Sequence, residues 1–400
     1  VIGRGAMAAT FGARYLEIDR LYALFRVRAQ SDAGYDRMTP QLRRNFDAYI
    51  AGLSRYVSTH SDEVPSWAHG LVPSARDLLA FQHFLVLMLP VNSLQGMTDC
   101  GRGGVKMSST LTLYLELLRS GGPATSSTAW AVAPWRTADG VTIHLSDPHN
   151  FLDIATPEFR LHAGALELSG YLVGAPVMLT GHTRHVAWGT TSGSPDVADC
   201  YALEVDAADP QRFLVNGEAR TIARESVEIP VRDAPPARFE LEYAPINGLT
   251  APIIARDDHR AYAIVTPYGE RAEGSFVDLD KMSRAKDIPA FRGALADQGL
   301  LPVGLTAADS AGNLFFARVG RTPRRDPALD WTRPVSGNVS TSTWRELHAF
   351  SDLIQIQNPS EGYIRETNQP AATMWAPNSP FPAGKYPNYI ANETPELVDH

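Results

Sequence analysis

The chain changes character at Gly121-Gly122-Pro123. Before that point apolar residues recur at helical spacing. After it come short runs of β-branched and aromatic residues separated by turn residues. In the first part, Leu42, Phe46, Tyr49, Ile50, Leu53, Tyr56 and Val57 form one stripe, and Thr39-Pro40 supplies a cap and a first turn. Ser74 and Asp77 have the spacing of a capping box ahead of Leu78, Leu79, Phe81, Phe84 and Leu85. A further helix is expected from about Ser109 to the glycine pair and proline. Beyond Pro123 the pattern predicts strands at 129–133, 141–145, 160–173, 177–191, 201–205, 261–266 and 314–319. Between Asp287 and Gly299 one helix fits, capped by Asp287, with Pro289 in its first turn and Phe291 and Leu295 on one face. Helices first and strands later, without regular alternation, predict a layered α+β fold.

Three segments follow: a mainly helical part (1–120), an exposed connector (121–126) suited to cleavage, and a sheet-rich part (127–400). A net charge of −8 argues against a nucleic-acid partner, which would require a basic face. No run of 18 apolar residues is present. The nearest candidate, 78–89, is short and carries Gln82 and His83, so it reads as a buried helix and not a membrane span. Cys100 and Cys200 lack metal-like spacing; they either pair or stay as buried thiols, and the sequence does not decide. The chain starts at Val1 with no charged leader and apolar stretch, so no signal peptide is visible. Both ends read as abrupt, and a fragment of a longer protein is expected.

The signatures of common hydrolases and nucleotide binders are missing: no Gly-x-Ser-x-Gly elbow, His-Glu-x-x-His helix, phosphate loop or dinucleotide fingerprint. What stands out is an ordered series. Ser127-Thr128-Ala129-Trp130 is followed by Arg136-Thr137-Ala138-Asp139-Gly140 and Asp147-Pro148-His149, its histidine 22 residues after the serine (149 − 127 = 22). Then come Gly181-His182-Thr183-Arg184-His185-Val186-Ala187-Trp188-Gly189, Asp196-Val197-Ala198-Asp199, Ala308-Asp309-Ser310-Ala311-Gly312-Asn313 and Gly362-Tyr363-Ile364. In order and spacing this series resembles the penicillin acylase family of N-terminal nucleophile hydrolases, which includes acyl homoserine lactone and cephalosporin acylases.

The resemblance implies a four-layer αββα fold, one interlocked domain, with the family's small chain at 1–120 and its large chain at 127–400, incomplete at both ends. It also implies a precursor that cuts itself before the serine. Ser127 is then the nucleophile and Ser126 its rival, the spacing to Trp130 and His149 favouring Ser127. A freed α-amine, with an ordinary pKa of roughly 7.7–8.0, serves as the base. His149 is expected to orient that amine, unless it is merely a turn histidine beside Asp147. One oxyanion donor is expected from the Ser192 backbone N–H. The other is usually an asparagine side chain, and this chain has Gly304 there. Loss of one such donor costs roughly 10²–10³ in turnover. Thr306, a water or the Gly304 N–H are the candidate substitutes. Arg325 falls where the family places an arginine near the active site; there it orients polar groups or binds a substrate carboxylate, and a surface arginine is the alternative.

Asp196, the Ala198 carbonyl and Asp199 resemble part of a structural Ca²⁺ site, with no cofactor expected for catalysis. A transition metal at His144, His149, His182 or His185 is the weaker reading. Asn150, Thr180 and Thr190 are expected to line a polar or wide acyl pocket. The partners implied are a small-molecule acyl amide substrate and the protein's own two chains after cleavage. The location implied is periplasmic or secreted. The leading expectation is an amidohydrolase acting on a β-lactam side chain, an acyl homoserine lactone or a lipopeptide. A catalytically silent binding homologue and a structural fragment are the alternatives.

Overall fold

A computed structural model of the protein describes residues 1–88, 93–102, 104, 127–149, 158–164, 166–172, 174–193, 195–344, 346–375, 378–382 and 384–390. Its helical front comprises α1 (Met7–Phe11), α2 (Leu16–Leu24), α3 (Val27–Arg37), α4 (Pro40–Thr59), α5 (Ala75–Met88) and α6 (Ser93–Arg102). Strands follow: β1 (Ser127–Val132), β2 (Ile143–Pro148), β3 (Glu158–Ala163), β4 (Leu166–Leu172), β5 (Met178–Thr183), β6 (Val186–Ser192), β7 (Asp199–Asp206), β8 (Asp209–Val215), β9 (Glu218–Thr221), β10 (Ala223–Val231), β11 (Ala234–Ile246), β12 (Leu249–Arg256) and β13 (Arg260–Val265). Helices α7 (Gly274–Ser283) and α8 (Ile288–Ala294) precede β14 (Val303–Asp309), β15 (Leu314–Val319), β16 (Val335–Ser336), β17 (Gln355–Gln357) and β18 (Tyr363–Glu366). The α+β class is as expected.

Local sequence chemistry explains several boundaries. Thr39 Oγ1 accepts the Leu42 N–H at the start of α4, and Asp287 accepts the Ala290 N–H at the start of α8. Ser74 and Asp77 form a reciprocal capping box at 2.9 and 3.1 Å. The runs 160–173 and 177–191 are each two strands, not one. Gly164, at φ +62°, turns the first, and the Thr183 hydroxyl accepts the His185 and Val186 N–H groups where the second turns. The helix expected from Ser109 and the connector 121–126 lie outside the described residues.

The chain forms two compact units, each discontinuous in sequence. The first comprises Val1–Ser120, Val197–Glu273 and Arg324–Glu346, and so joins the helical front to strands from the sheet-rich part. Its sheet runs β10-β11-β12-β13-β7-β8-β9, with β16 beside β7. Helix α6 packs on β7 and β13, and Cys100 is disulfide-bonded to Cys200 (Cα–Cα 5.4 Å). The sequence had left that pairing open. Leu21, Leu24, Phe84, Leu87, Met97, Ile264 and Tyr268 fill the core around this bond.

The second unit comprises Gly121–Asp196, Gly274–Pro323 and Leu347–His400. It holds a seven-stranded sheet, β17-β15-β14-β6-β5-β4-β3, and a three-stranded sheet, β18-β1-β2. Strand alternation gives β6 two faces. Trp188 points to one side and packs against Phe291 of α8. Gly189 points to the other, where a Cβ would lie 2.5 Å from Ser146 Oγ and 3.2 Å from the Ala129 Cβ. The absence of a side chain at 189 lets the β1–β2 hairpin approach the larger sheet. This unit is therefore a helix layer, a sheet and a second sheet.

Candidate active site

Ser127 is the first residue of β1, the central strand of the small sheet. In the β1–β2 register Ser127 lies opposite Pro148, Ala129 opposite Ser146 and Ala131 opposite His144. The 22-residue spacing to His149 is thus the geometry of a hairpin, with His149 one residue past the pair that Ser127 makes. Ala129 and Ala131 are fully buried against the larger sheet. Alternation places the Ser127 side chain on that same face.

β18 flanks β1 on its other side, with Ile364 opposite Ala131 and Glu366 opposite Ala129. The Gly362-Tyr363-Ile364 motif therefore leads into the strand beside the candidate nucleophile. Just past it, Asn368 donates from Nδ2 to the Ser127 carbonyl at 2.9 Å. Its Oδ1 accepts the Ser192 N–H at 3.0 Å. One side chain thus joins the two backbone positions singled out as nucleophile and oxyanion donor. The Ser192 N–H, expected to be an oxyanion donor, is committed to Asn368 in this state.

On the larger sheet, Gly304 of β14 lies between Thr191 of β6 and Arg318 of β15. A Cβ on Gly304 would fall 2.4 Å from Thr191 Oγ1 and 2.5 Å from Arg318 Nη1. Arg318 and Glu366 are 2% and 0% exposed, and Nη1 lies 3.1 Å from Oε1. Arg318 also donates to the Ser192 and Gln369 carbonyls at 3.4 and 2.7 Å. Thr306, a candidate substitute donor, shares its hydroxyl with His144 Nε2 at 3.0 Å. Burial pushes the His144 imidazole down to about 4.

The remaining candidates separate. His149 has an exposed ring with Nε2 3.3 Å from Asp147 Oδ2. Asn150 lies outside the described residues. Thr180 and Thr190 do not present free hydroxyls to a pocket: they share a hydrogen bond at 3.0 Å, both are buried, and Thr190 is on the Trp188 face of β6, turned from the small sheet. Arg325 is not a surface residue. It is buried in the first unit, with Nε 3.1 Å from Asp199 Oδ2.

That pair bears on the calcium expectation. Asp199 Oδ2 also accepts the Trp344 Nε1–H at 2.6 Å. Burial raises the Asp199 carboxyl pKa, against the opposing pull of Arg325. Asp196 and Ala198 are buried, but among the described residues no three His, Cys, Asp or Glu side chains converge on a metal position. His144, His182 and His185 form no metal cluster among the described residues.

Asn368, Arg318, Glu366 and Thr191 were missed in the sequence. Thr191 and Arg318 follow only from cross-strand register with Gly304. Asn368, four residues past Ile364, carried no spacing signal.

The penicillin amidase family model matches residues 1–396. Penicillin G acylase of Escherichia coli is 25% identical over 268 residues, covering 66% of this chain and 30% of that protein. The penicillin acylase 2 proenzyme of Pseudomonas sp. (strain SE83) is 28% identical, covering 67% and 33%. The acyl-homoserine lactone acylase QuiP of Pseudomonas fluorescens (strain Pf0-1) is 22% identical, covering 92% and 51%. The chain spans about a third to a half of the length of these relatives. The structure of a thermostable penicillin G acylase from Alcaligenes faecalis superposes with a TM-score of 0.55 at 20% identity, over 67% of this chain and 46% of that one. That likeness supports the fold, and the match along 1–396 makes the chain a member of the penicillin amidase family.

Proposed function

We propose that the protein is an acylase that hydrolyses the amide bond of an acylated small molecule, with Ser127 as a self-generated N-terminal nucleophile. The observation that carries this reading is the placement of Ser127. It starts the central strand of the small sheet, is placed by alternation with the buried Ala129 and Ala131 on the face toward the larger sheet, and is linked through Asn368 to the Ser192 backbone N–H.

In the first reaction, Ser127 Oγ attacks the Ser126 carbonyl carbon. The peptide C–N bond breaks, the acyl group moves to oxygen as an ester, and the Ser127 nitrogen becomes a free amine. Water hydrolyses the ester, leaving a carboxylate on Ser126. In the second reaction the amine takes the Ser127 hydroxyl proton as Oγ adds to the substrate carbonyl, and gives it to the departing amine. Water then releases the acid. His149, one residue past Pro148 in the register with Ser127, is the residue assigned to orient the new amine.

The substrate class is an acyl amide of the kinds named for the relatives, a penicillin-type amide or an acyl homoserine lactone; a lipopeptide is a further candidate. The Cys100–Cys200 bond supports an oxidising location such as the periplasm. A second reading, a silent binding homologue, is motivated by Gly304, which brings no side-chain donor. N-terminal sequencing of the full-length protein tests the proposal. A chain beginning Ser127-Thr128-Ala129-Trp130 that releases acid from acyl amides is the expected result. An uncut chain, or one beginning at Ser126, would sink it.

A further inference from the structure

Glycine at 304 is accompanied by a specific occupant. Cross-strand partners share a face, so Thr191, Gly304 and Arg318 form one row across β6, β14 and β15. Gly189 and Thr306 form the next row on the same face, and the β1–β2 hairpin rests there through Ala129, Ser146 and His144. Two residues toward the start of β1, Ser127 faces the row that holds Gly304. The volume an asparagine at 304 would fill is taken by the Thr191 hydroxyl and the Arg318 guanidinium. Burying an arginine and a glutamate costs several kcal/mol per ion in desolvation. Such a pair is a poor way simply to fill a gap between two sheets.

We propose that Arg318 replaces the missing asparagine and supplies the positive charge that stabilises the tetrahedral intermediate on Ser127. This rests on the acylase reading above. Glu366 accepts from Nη1 and the Asn368 N–H, and so fixes the guanidinium beside the Ser192 backbone. A buried preorganised cation needs no reorganisation as the oxyanion forms. Arg318 and Glu366 then act as a unit, and asparagine at 304 is incompatible with arginine at 318.

The test uses the full-length protein and a panel of acyl 4-nitroanilides. Arg318→Ala/Glu366→Gln removes both charges together; kcat is expected to fall roughly 10²–10³-fold with KM nearly unchanged. Gly304→Asn alone is expected to lower activity, because the new side chain meets Thr191 and Arg318. Gly304→Asn in the double-variant background is expected to regain at least about tenfold in kcat over that background. An unchanged kcat in the double variant, or no gain in the triple, overturns the proposal. If the double variant does not fold, Arg318→Gln/Glu366→Gln, which keeps much of the volume and hydrogen-bonding groups but removes both charges, decides, and a wild-type kcat there also overturns it. A wild-type protein that neither cuts itself nor hydrolyses any amide removes the acylase reading, and this proposal with it.

The disulfide carries a second inference independently. Cys100 lies before the bond at 126–127 and Cys200 after it, and their sulfurs are bonded. We infer that self-cleavage leaves the fragments on either side of the 126–127 bond covalently joined. The tether replaces a bimolecular association by an intramolecular one, so that the small chain survives dilution. Denaturing gels of protein secreted through an oxidising compartment test this. One band without reductant and two with it are expected. Two bands without reductant overturn the tether alone. One band under both conditions refutes self-cleavage, and the tether with it.

Discussion

Asn368 donates to the carbonyl of Ser127 at 2.9 Å, and the same side chain accepts the Ser192 N–H. Ser127 is thereby anchored across two strands that do not pair with each other. Asn368→Asp keeps the acceptor for Ser192 but sets a carboxylate oxygen against the Ser127 carbonyl. One hydrogen bond is worth roughly 0.5–1.5 kcal/mol, so self-cleavage is expected to slow about tenfold with little change in melting temperature. A reducing-gel time course reads the rate directly, and a wild-type rate would remove Asn368 from the positioning role.

Gly189 sets the distance between the two sheets of the second unit. Gly189→Ala drives a methyl group into Ser146 and Ala129. Overpacking of this kind costs about 1–3 kcal/mol. Gly52 of α4 is the control: a Cβ there meets nothing within 4 Å, and alanine should stabilise the helix by roughly 0.5–1 kcal/mol. Urea midpoints moving in opposite directions for the two variants are the expected outcome.

The same contrast shows what was legible in the sequence. Caps at Thr39, Ser74 and Asp287 are local, so their spacing gave the helix starts. The 22-residue distance from Ser127 to His149 was visible because a hairpin converts spacing into proximity. β10 and β11 were not read as strands. They carry cross-strand charge pairs on one face, Arg224 with Glu242 and Arg238 with Glu228, while Val227, Ile229, Phe239, Leu241 and Tyr243 alternate toward the core on the other. Arg318 and Glu366 were invisible because their partnership depends on register between strands far apart in the chain. Arg325 was placed by resemblance alone, and its buried contact with Asp199 could not be read from spacing.

Arg325 and Asp199 make that contact a stability prediction. Arg325→Met leaves Asp199 buried with Trp344 Nε1–H as its one side-chain donor among the described residues. Removing one partner of a buried pair costs about 3–5 kcal/mol. Arg325→Met/Asp199→Asn removes both charges and is expected to recover most of the loss. Melting curves of the two variants check this; equal losses would show that the ion pair is not the cause.

His83 and Asp278 give the folded protein opposite pH dependences. Each is 1% exposed. Burial holds the His83 imidazole at about 4, while burial raises the Asp278 carboxyl to about 6 despite N–H donors from Gly299 and Leu300. The unfolded histidine binds its proton near pH ~6.5, so the His83 contribution is complete above that value and is lost as pH falls toward 4. The folded aspartate keeps its proton to higher pH than the unfolded one, so its contribution is complete below pH ~3.9 and is lost as pH rises through 6. Each difference is worth roughly 3 kcal/mol at most. Relative to wild type, His83→Gln should therefore tilt the stability profile between pH 4 and 6 toward lower stability at higher pH, and Asp278→Asn should tilt it the other way. Urea midpoints at half-unit pH steps measure both slopes, and parallel profiles for the two variants would contradict the assignment of these groups.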